Sequence, residues 1–326
     1  MKVAITGGTG FLGINLIQQM AELGWHIIVL HRYSSDLSDL QQFSIEFIEV
    51  DFSNKASLIA AIPEGLDAIF HAAGDTNLWS YNNDRQYHTN VTVTEWLVDI
   101  AIEKRVRRFI HTSSISAYGF HDETIHEQSE RRALTSGVNY LKTKYLGEMA
   151  VKRAVHTRGL DAVILNPCAI MGPYDRHNWS QLFIMISDNT LPGIPPGEGS
   201  YCHVRSVAQA HINAVLRGRT GANYILAGAD CSFEHVIDKI GTLLRTDVRA
   251  RVVPAWLLQT LGHVHAWRAA ITKREPRMTP EKALMVTKRV IASSERAKAE
   301  LDYNADVSID AMLQDCYDWL KSEHIV

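Results

Sequence analysis

The sequence lacks a long uninterrupted apolar run, an excess of charge of either sign, and clustered cysteines. Its 326 residues include 33 Lys and Arg against 36 Asp and Glu, giving a formal net charge of −3 with the basic residues scattered. This balance argues against a nucleic-acid surface and gives no reason to expect an anionic membrane as partner. The most apolar late stretch, residues 255–271, is too polar to span a bilayer, because it is interrupted by Gln259, His263, His265 and Arg268.

Cysteine and histidine provide no evidence for a disulfide or a metal site. The four cysteines lie far apart, at Cys168, Cys202, Cys231 and Cys316. Their spacing is that of reduced thiols. Among the 15 histidines, His263 and His265 are two residues apart and would face different sides of a helix. We therefore predict no metal. No segment resembling a signal peptide precedes the first strand, so we expect a cytoplasmic protein.

The first half of the chain alternates between short apolar strands and helical segments. Strands are predicted over residues 2–5, 26–30, 45–50, 68–72, 108–112 and 162–165, with long helices over 84–103 and 140–157. Such alternation produces a parallel sheet covered by helices on both faces. The predicted fold class is α/β: a Rossmann-type doubly wound parallel sheet in residues 1–170, to which residues 203–228 return.

The pattern changes after residue 170, where proline and glycine become frequent. Pro192, Pro195 and Pro196 mark an irregular region suited to a substrate pocket. Further on, Thr279-Pro280 is a typical cap and first turn of a helix, and Ser308 can cap a last amphipathic helix. Residues 171–202 and 229–326 are therefore predicted to form a smaller, mainly helical substrate-binding lobe.

A glycine-rich loop separates the first strand from the first helix. It comprises Gly7, Gly8, Thr9, Gly10, Phe11, Leu12 and Gly13. Gly7 permits backbone angles closed to other residues, Gly10 lets a pyrophosphate approach the main chain, and Gly13 lets the helix pack on the sheet. A glycine triplet alone is equally typical of a tight turn. Its place between a strand and a helix favours a dinucleotide site, with phosphate at the helix N-terminus.

The residues after the second strand bear on the choice of cofactor. A site that selects NAD usually places a carboxylate there, whereas an arginine accommodates the 2′-phosphate of NADP. The segment His31-Arg32-Tyr33-Ser34-Ser35 contains no acid. A solvated surface arginine is the alternative interpretation of Arg32. Its position predicts a preference for NADP(H), with NAD(H) as the alternative cofactor.

Tyr140 and Lys144 lie one turn apart on a predicted helix, downstream of Ser113 and Ser114. A lysine ammonium near a phenol favours the phenolate and lowers its pKa from the usual ~10. Such a tyrosine can give a proton to a carbonyl oxygen or take one from a hydroxyl. A serine hydroxyl at the end of a strand could bind the same oxygen. A Tyr/Lys pair alone is common on helix surfaces, but here it follows the glycine loop in the order that one site needs.

Short motifs follow one another along nearly the whole chain. They are TGGTGFLG at 6–13, VDF at 50–52, FHAAG at 70–74, NV at 90–91, TSS at 112–114, YG at 118–119, YLKTK at 140–144, NP at 166–167, GP at 172–173, HV at 203–204, SERA at 294–297 and LDY at 301–303. In this order they make the chain similar to an extended short-chain dehydrogenase/reductase of the NAD-dependent epimerase/dehydratase family. The resemblance is strongest to the branch of dihydroflavonol reductases and 3β-hydroxysteroid dehydrogenases.

The resemblance implies roles for individual residues. Tyr140 corresponds to the catalytic acid/base, Lys144 to the lysine that holds the nicotinamide ribose, and Ser114 to the hydroxyl that polarises the substrate, with Ser113 as the neighbouring alternative. His71 is usual in the family, which implies a structural role. The remaining implied cofactor contacts are Asp51 and Phe52 at the adenine, Ala72, Ala73 and Gly74 at the middle, Pro167 to Ile170 at the carboxamide, and Asn90 as a supporting asparagine.

The resemblance also implies an assembly. In the family, helices corresponding to 84–103 and 140–157 pair across a two-fold axis as a four-helix bundle. A homodimer is expected, with Val93, Leu97, Leu146 and Met149 as interface or core positions.

The leading functional hypothesis is an NADP(H)-dependent oxidoreductase acting on a small-molecule ketone, aldehyde or secondary alcohol. The alternatives are a nucleotide-sugar epimerase or dehydratase with tightly bound NAD, and a non-catalytic redox sensor that binds NADP. Arg205-Ser206 stands where the family often has acids, so the resemblance does not define the part of the site that contacts the substrate. Five aromatic residues are candidates for an apolar pocket, although buried packing explains each nearly as well: Trp79, Tyr81, Tyr118, Trp179 and Tyr201.

Overall fold

A parallel sheet of seven strands forms the centre of the computed structural model, which describes residues 1–326. The strands of the chain are β1 (Lys2–Thr6), β2 (His26–His31), β3 (Glu46–Glu49), β4 (Ala68–His71), β5 (Phe109–Thr112), β6 (Ala162–Pro167), β7 (Ala169–Met171), β8 (Glu198–His203), β9 (Asn223–Leu226), β10 (Ala229–Ser232) and β11 (Arg289–Val290). The central sheet has the order β3-β2-β1-β4-β5-β6-β9. The six strands predicted in the first half of the sequence are confirmed, since nearly continuous apolar runs suit a sheet buried on both faces.

Helices cover both faces of this sheet. The helices of the whole chain are α1 (Phe11–Glu22), α2 (Lys55–Ala61), α3 (Asn83–Tyr87), α4 (Val93–Glu103), α5 (Asn139–Arg158), α6 (Ser180–Ser187), α7 (Val204–Arg217), α8 (Phe233–Leu244), α9 (Ala255–Thr272), α10 (Pro280–Val286), α11 (Glu295–Leu301) and α12 (Ile309–Ser322). Helices α1 and α7 share one buried apolar core with the sheet, and α2, α4 and α5 share the core of the other face. The doubly wound α/β prediction is therefore confirmed.

The order of strands reverses between β1 and β4, because β1 pairs with β2 on one side and with β4 on the other. All strands of this sheet are parallel, so their carboxyl ends meet along one edge. Ligands of open α/β sheets bind outside this edge at the reversal point. The fold thus determines where the residues named above converge.

The predicted helix over 84–103 contains a π-helical turn. A π-helical turn, His88–Thr92, separates α3 from α4. Helix α5 packs against this turn so closely that a Cβ atom at Gly147 would lie 2.3 Å from the Asn90 carbonyl oxygen. Turns of this kind occur mainly at functional sites. Residues 83–103 are therefore helical throughout, as predicted, but a continuous helical period does not reveal the π-helical turn.

A second sheet of four strands lies in the C-terminal half. Its central strand, β8, pairs with β7 and β11 in parallel and with β10 in antiparallel orientation. Helices α6, α8 and α12 pack with this part of the chain in a separate apolar core. The predicted caps Thr279 and Ser308 accept hydrogen bonds from the Lys282 and Ala311 amides. The lobe therefore contains a sheet besides its helices. The sequence missed it because β8 and β10 are rich in polar residues and β7 and β11 have only three and two residues.

Two of the four residues expected at a dimer interface cannot contact a second copy of the chain. Val93 and Leu97 are buried within the chain's own core, whereas Leu146 and Met149 keep partial exposure. The homodimer stays a prediction, restricted to the latter pair. The structure contains no helix with the length and apolar character needed to cross a membrane, and all four cysteines are free.

Candidate active site

The glycine loop joins β1 to α1 and presents the free end of the helix. Gly7 has a φ of +74°, and a Cβ atom there would lie 2.5 Å from the Ala73 nitrogen. A Cβ atom at Gly13 would lie 2.1 Å from the Gly7 carbonyl oxygen, so neither position accepts a side chain. Gly10 is exposed, and no side chain caps the helix that follows it. The positive helix end and its unpaired amides are therefore open to an anion, as a dinucleotide site requires.

Three further predicted residues of this loop are only partly exposed. Thr9, Phe11 and Leu12 lie around the exposed Gly10. The structure brings them to the same strand edge as Ala72, whose amide donates to the Thr6 carbonyl oxygen at 3.1 Å. The first and fourth strands thus form the two sides of the proposed phosphate site.

The next two strands contribute the expected adenosine end. Arg32 follows β2, is exposed, and its guanidinium forms no ion pair or hydrogen bond. Asp51 follows the neighbouring β3, and its Oδ1 accepts the hydroxyl and amide of Ser53 at 2.6 and 2.9 Å. These bonds lower the pKa of Asp51. Phe52 is half-buried, and its carbonyl oxygen lies 2.9 Å from His88 Nε2. A free cation and a carboxylate therefore stand where the adenosine would bind.

Asn90 supports the middle of the site through hydrogen bonds to protein. Its amide nitrogen donates to the Asp75 carbonyl oxygen at 2.9 Å and to Thr143 Oγ1 at 3.0 Å. Its oxygen accepts from the Asp75 amide at 2.8 Å. A Cβ atom at Gly74 would lie 3.5 Å from this oxygen and 3.7 Å from Lys144 Nζ. Asn90 is thus a positioning residue that ties the loop after β4 to α5.

The expected carboxamide segment runs from Pro167 to Ile170. Pro167 ends β6 in the large sheet, and Ile170 lies in β7 of the second sheet. Between them, the Cys168 amide donates to the Leu226 carbonyl oxygen at 3.0 Å. The segment therefore crosses from one sheet to the other at the junction of the two parts of the molecule.

Ser114 and Tyr140 are brought together by different elements. Ser114 follows β5, and its Oγ accepts the Ser116 amide at 3.1 Å, which leaves the hydroxyl proton free to donate. Tyr140 is the second residue of α5 and lines the same cavity as Ser114. Lys144, one turn further, is 7% exposed and donates to the Thr112 carbonyl oxygen at 2.7 Å. A hydroxyl pair facing the cavity, with a buried ammonium behind it, suits proton transfer to a carbonyl oxygen.

The pKa of Tyr140 departs from the sequence expectation. Burial raises the pKa of Tyr140, the Asp75 carboxylate adds to this effect, and hydrogen bonding by the Ser114 hydroxyl opposes it. The effect of burial prevails, so the expected depression of the Tyr140 pKa is wrong for the protein without cofactor. Burial lowers the pKa of Lys144 to about 8, against the opposing charge of Glu148. At neutral pH the phenol therefore holds its proton, as an acid catalyst of carbonyl reduction must.

A cavity of about 500 Å³ opens from these hydroxyls toward the second sheet. Of its 25 lining residues 15 are hydrophobic, and the two charged ones are Glu198 and Lys288. The sequence missed most of its apolar lining because it comes from eight separate segments of the chain. The apolar lining residues not foreseen include Phe120, Leu182, Met185, Phe233, Met285 and Val290.

Only two of the five candidate aromatic residues line this cavity, namely Trp179 and Tyr201. Trp79 and Tyr81 stack on each other at 4.8 Å instead. Tyr118 is fully buried, with the Arg131 guanidinium 3.4 Å above its ring. The pocket prediction is therefore wrong for these three residues, since aromatic residue type does not specify the direction of a side chain.

Comparison with known proteins agrees with this geometry. Residues 3–227 match the NAD dependent epimerase/dehydratase family. The chain belongs to this family. A putative dihydroflavonol 4-reductase of Synechocystis sp. is 27% identical over 99% of this chain and 95% of its own length. Sterol demethylase protein B of Methylococcus capsulatus is 25% identical over the full length of both chains. The crystal structure of gox2253 superposes with a TM-score of 0.85, at 27% identity and 99% coverage of each chain. The protein is an NAD(P)-dependent enzyme of the extended short-chain dehydrogenase/reductase type.

A buried carboxylate that the sequence analysis missed supports the candidate active-site serines, Ser113 and Ser114. Glu148 is fully buried, and its Oε2 accepts from Ser113 Oγ and from Asn166 Nδ2, both at 2.9 Å. Arg131 pairs with the other oxygen at 2.8 Å. Asn166 also donates to the Ser114 carbonyl oxygen at 3.0 Å. Glu148 lies one turn beyond Lys144 on α5, and this spacing is the signal that could have identified it.

Two further expectations about this enzyme are decided by contacts. His71 is buried between Thr6 Oγ1 at 2.8 Å and Thr94 Oγ1 at 2.9 Å, and burial lowers its pKa to about 3. It is a neutral structural residue. Arg205 is exposed and pairs with Asp315 of α12 at 3.3 Å, outside the cavity. The segment Arg205-Ser206 therefore does not form the substrate end.

Proposed function

We propose that this enzyme is an NADP(H)-dependent oxidoreductase that reduces an apolar ketone or aldehyde, or oxidises the corresponding secondary alcohol. The observation that carries the proposal is that the Ser114 and Tyr140 hydroxyls lie together at one end of an apolar cavity. A substrate carbonyl placed there meets two hydroxyl donors. Lys144 lies behind them, held by the Thr112 carbonyl oxygen.

The residues present fit a dinucleotide that carries a 2′-phosphate. The uncapped end of α1 and the crowded Gly7 and Gly13 suit a pyrophosphate, and Arg32 offers an unpaired guanidinium at the adenosine end. When bound, the nicotinamide supplies the hydride. Tyr140 donates its proton to the substrate oxygen as negative charge develops there, and Ser114 donates a hydrogen bond to that oxygen. The Lys144 ammonium then stabilises the resulting phenolate.

The charge of the cavity supports an apolar substrate over a nucleotide sugar. A sugar nucleotide brings a diphosphate, which proteins usually bind with arginine pairs or several cations. The cavity lining offers Lys288 as its single cation, beside the acidic Glu198. The names of the two relatives above, a dihydroflavonol reductase and a sterol demethylase, refer to polycyclic molecules. These observations support a polycyclic ketone or alcohol as substrate. Retention of Tyr140 and Lys144 argues against a non-catalytic sensor.

Turnover assays test the function. The purified protein is mixed with NADPH and with polycyclic ketones, small polar ketones or a nucleotide sugar, and oxidation of the reduced nicotinamide is followed by absorbance. We expect NADPH consumption with the polycyclic ketones, because the cavity buries their apolar surface. Interconversion of nucleotide sugars without net change of the cofactor would instead establish the epimerase alternative. Binding of NADPH without turnover of any compound would favour the sensor.

Cofactor selectivity is tested at Arg32. Loss of a charge-assisted contact to the 2′-phosphate costs about 1.5–3 kcal/mol, so Arg32→Ala should weaken NADPH binding roughly 10- to 150-fold. NADH binding should stay unchanged, because NADH lacks that phosphate. Fluorescence titration of both cofactors measures the effect. Arg105→Ala is a matched control, since Arg105 is exposed and precedes β5 at the opposite edge of the sheet. Equal titration curves for NADPH and NADH with the unmodified protein would contradict the assignment.

A further inference from the structure

Helix α9 is apolar on two opposite faces, and only one of them is covered. Leu258, Gly262 and Ala269 are buried. A Cβ atom at Gly262 would lie 3.0 Å from the Thr279 carbonyl oxygen, which shows how closely α9 packs on the start of α10. The outward face carries exposed large apolar side chains. This face is called the α9 stripe and consists of Trp256, Leu261, Val264, Trp267 and Ile271.

The stripe is a concentrated feature of the surface. Trp256, Trp267 and Ile271 are 67%, 69% and 68% exposed. Their helical spacing places them with Val264 on one side, opposite the buried residues. Five of the thirteen exposed large hydrophobic residues of the chain lie on this helix. Single exposed apolar residues are normal, but a contiguous group marks an interaction surface.

Unpaired cations flank the stripe. Arg268 lies on α9, and Lys273, Arg274 and Arg277 follow within the next turn and loop. All four are exposed, and none of their side chains forms an ion pair or hydrogen bond. The acid in this segment, Glu275, is already engaged by Lys282 at 3.3 Å. A protein with an overall charge of −3 therefore carries a local positive cluster beside this group of exposed apolar side chains.

We propose that α9 docks this protein on an anionic phospholipid surface, with the α9 stripe in the acyl boundary and the four cations at the headgroups. Exposed tryptophans beside lysines and arginines are the composition of helices that lie in the plane of a membrane interface. Anionic lipids attract each nearby cation. A second copy of the chain fits less well, because a symmetric contact would bring the two cationic clusters together. The scattered charge of the sequence gave no reason to expect this surface, since the grouping depends on which residues are exposed.

The position of α9 near the substrate cavity relates docking to catalysis, and this step rests on the proposed function. Helix α9 packs on α10, which supplies Met285 and Val286 to the lining of the substrate cavity. Docking of α9 would therefore bring α10, one of the elements that line the cavity, close to the lipid surface. A polycyclic substrate that partitions into lipid would reach the cavity from the bilayer.

Sedimentation with vesicles tests the docking. The full-length protein is mixed with phosphatidylcholine vesicles, with and without phosphatidylserine, and the bound fraction is measured. We expect binding to the anionic vesicles and a loss of at least about ten-fold in the partition coefficient for the double variant Trp256→Ser/Trp267→Ser. Replacing Lys273 and Arg274 by Gln should weaken binding to anionic vesicles alone, by roughly 10- to 30-fold. Leu216→Ser is the matched control, because Leu216 is 74% exposed on α7, away from the stripe.

Several results would overturn the proposal. They are no binding of the unmodified protein to anionic vesicles, unchanged binding of the double tryptophan variant, or self-association that this variant abolishes without any vesicle binding. The last result would make the stripe a contact between copies of the chain. Thermal unfolding of each variant establishes that it is folded. Vesicle binding needs no turnover, so failure of the proposed function and failure of docking are separate outcomes.

Discussion

Replacing Tyr140 by Phe is expected to reduce turnover about 10²–10⁴-fold, the usual contribution of a positioned general acid. The phenol lines the cavity beside Ser114, and its raised pKa keeps it protonated at neutral pH. Phenylalanine keeps the ring and removes the proton, so folding and cofactor binding should be almost unchanged. Single-turnover oxidation of NADPH with a ketone substrate measures the chemical step directly.

Two further variants separate the roles around Tyr140. Tyr145→Phe is a matched control on the same helix, since Tyr145 packs with a small apolar cluster and does not line the cavity. Lys144→Met should reduce both turnover and cofactor affinity, because the ammonium lies beside Gly74 of the proposed cofactor site as well as behind the phenol. A Tyr140→Phe enzyme that oxidised NADPH at the unmodified rate would show that the proton comes from another group.

Acidification from neutral pH to about pH 5 is expected to lower the free energy of unfolding by about 6 kcal/mol. Three histidines are buried in and beside the central sheet: His71, His111 and His211. Burial lowers the pKa of His71 to about 3 and of His211 to about 4, and it places the pKa of His111 well below its usual range. An unfolded histidine titrates near ~6.5. Below that pH the unfolded chain binds protons that the native state does not bind, so the free energy of unfolding decreases as the pH is lowered.

The size of this effect follows from the three sites. Each contributes roughly 2 kcal/mol at about pH 5, because the native imidazoles stay neutral there. Burial opposes protonation of these rings. In His211 it outweighs the bond from Nδ1 to the Val207 carbonyl oxygen at 2.8 Å, which favours the protonated form, and His111 has no hydrogen-bond partner at either nitrogen. Stability contributed by the neutral imidazoles is complete above about pH 6.5 and is lost progressively as the pH falls toward the native pKa values.

Urea unfolding at neutral pH and at about pH 5 measures the difference. His71→Gln should remove about a third of the pH dependence, whatever it does to stability at neutral pH. His156→Gln should leave the dependence unchanged, because His156 is exposed on α5. Equal free energies of unfolding at both pH values for the unmodified protein would show that the buried histidines are protonated in the native state.

Local residue patterns predicted the central sheet and the order of site elements along it. Apolar runs such as residues 26–30 can be buried only in a sheet covered on both faces, and glycines such as Gly7 occur where the backbone needs a positive φ. Tyr140 and Lys144 on one helix and Ser114 after a strand are likewise local facts. Because parallel strands end at one edge, their convergence followed from the fold class.

Contacts between distant segments decided the rest. The π-helical turn lies where α5 meets Asn90 through Gly147, and strand β8 pairs with three strands from separate parts of the chain. Neither has a strong local signal, because each depends on residues far along the chain.

The sequence by itself determined the fold class, the glycine loop and the identity of the Ser114, Tyr140 and Lys144 side chains, since these depend on residue type and spacing. Only the tertiary structure decided that Tyr140 has a raised pKa, that Glu148 forms a hydrogen bond with Ser113, and that the cavity lining has few charged side chains. The α9 stripe belongs to the same group. Burial, desolvation and exposure arise from the packing of segments that are distant in the sequence. That packing determines which side chains of the same residue type face the cavity, the core or the solvent.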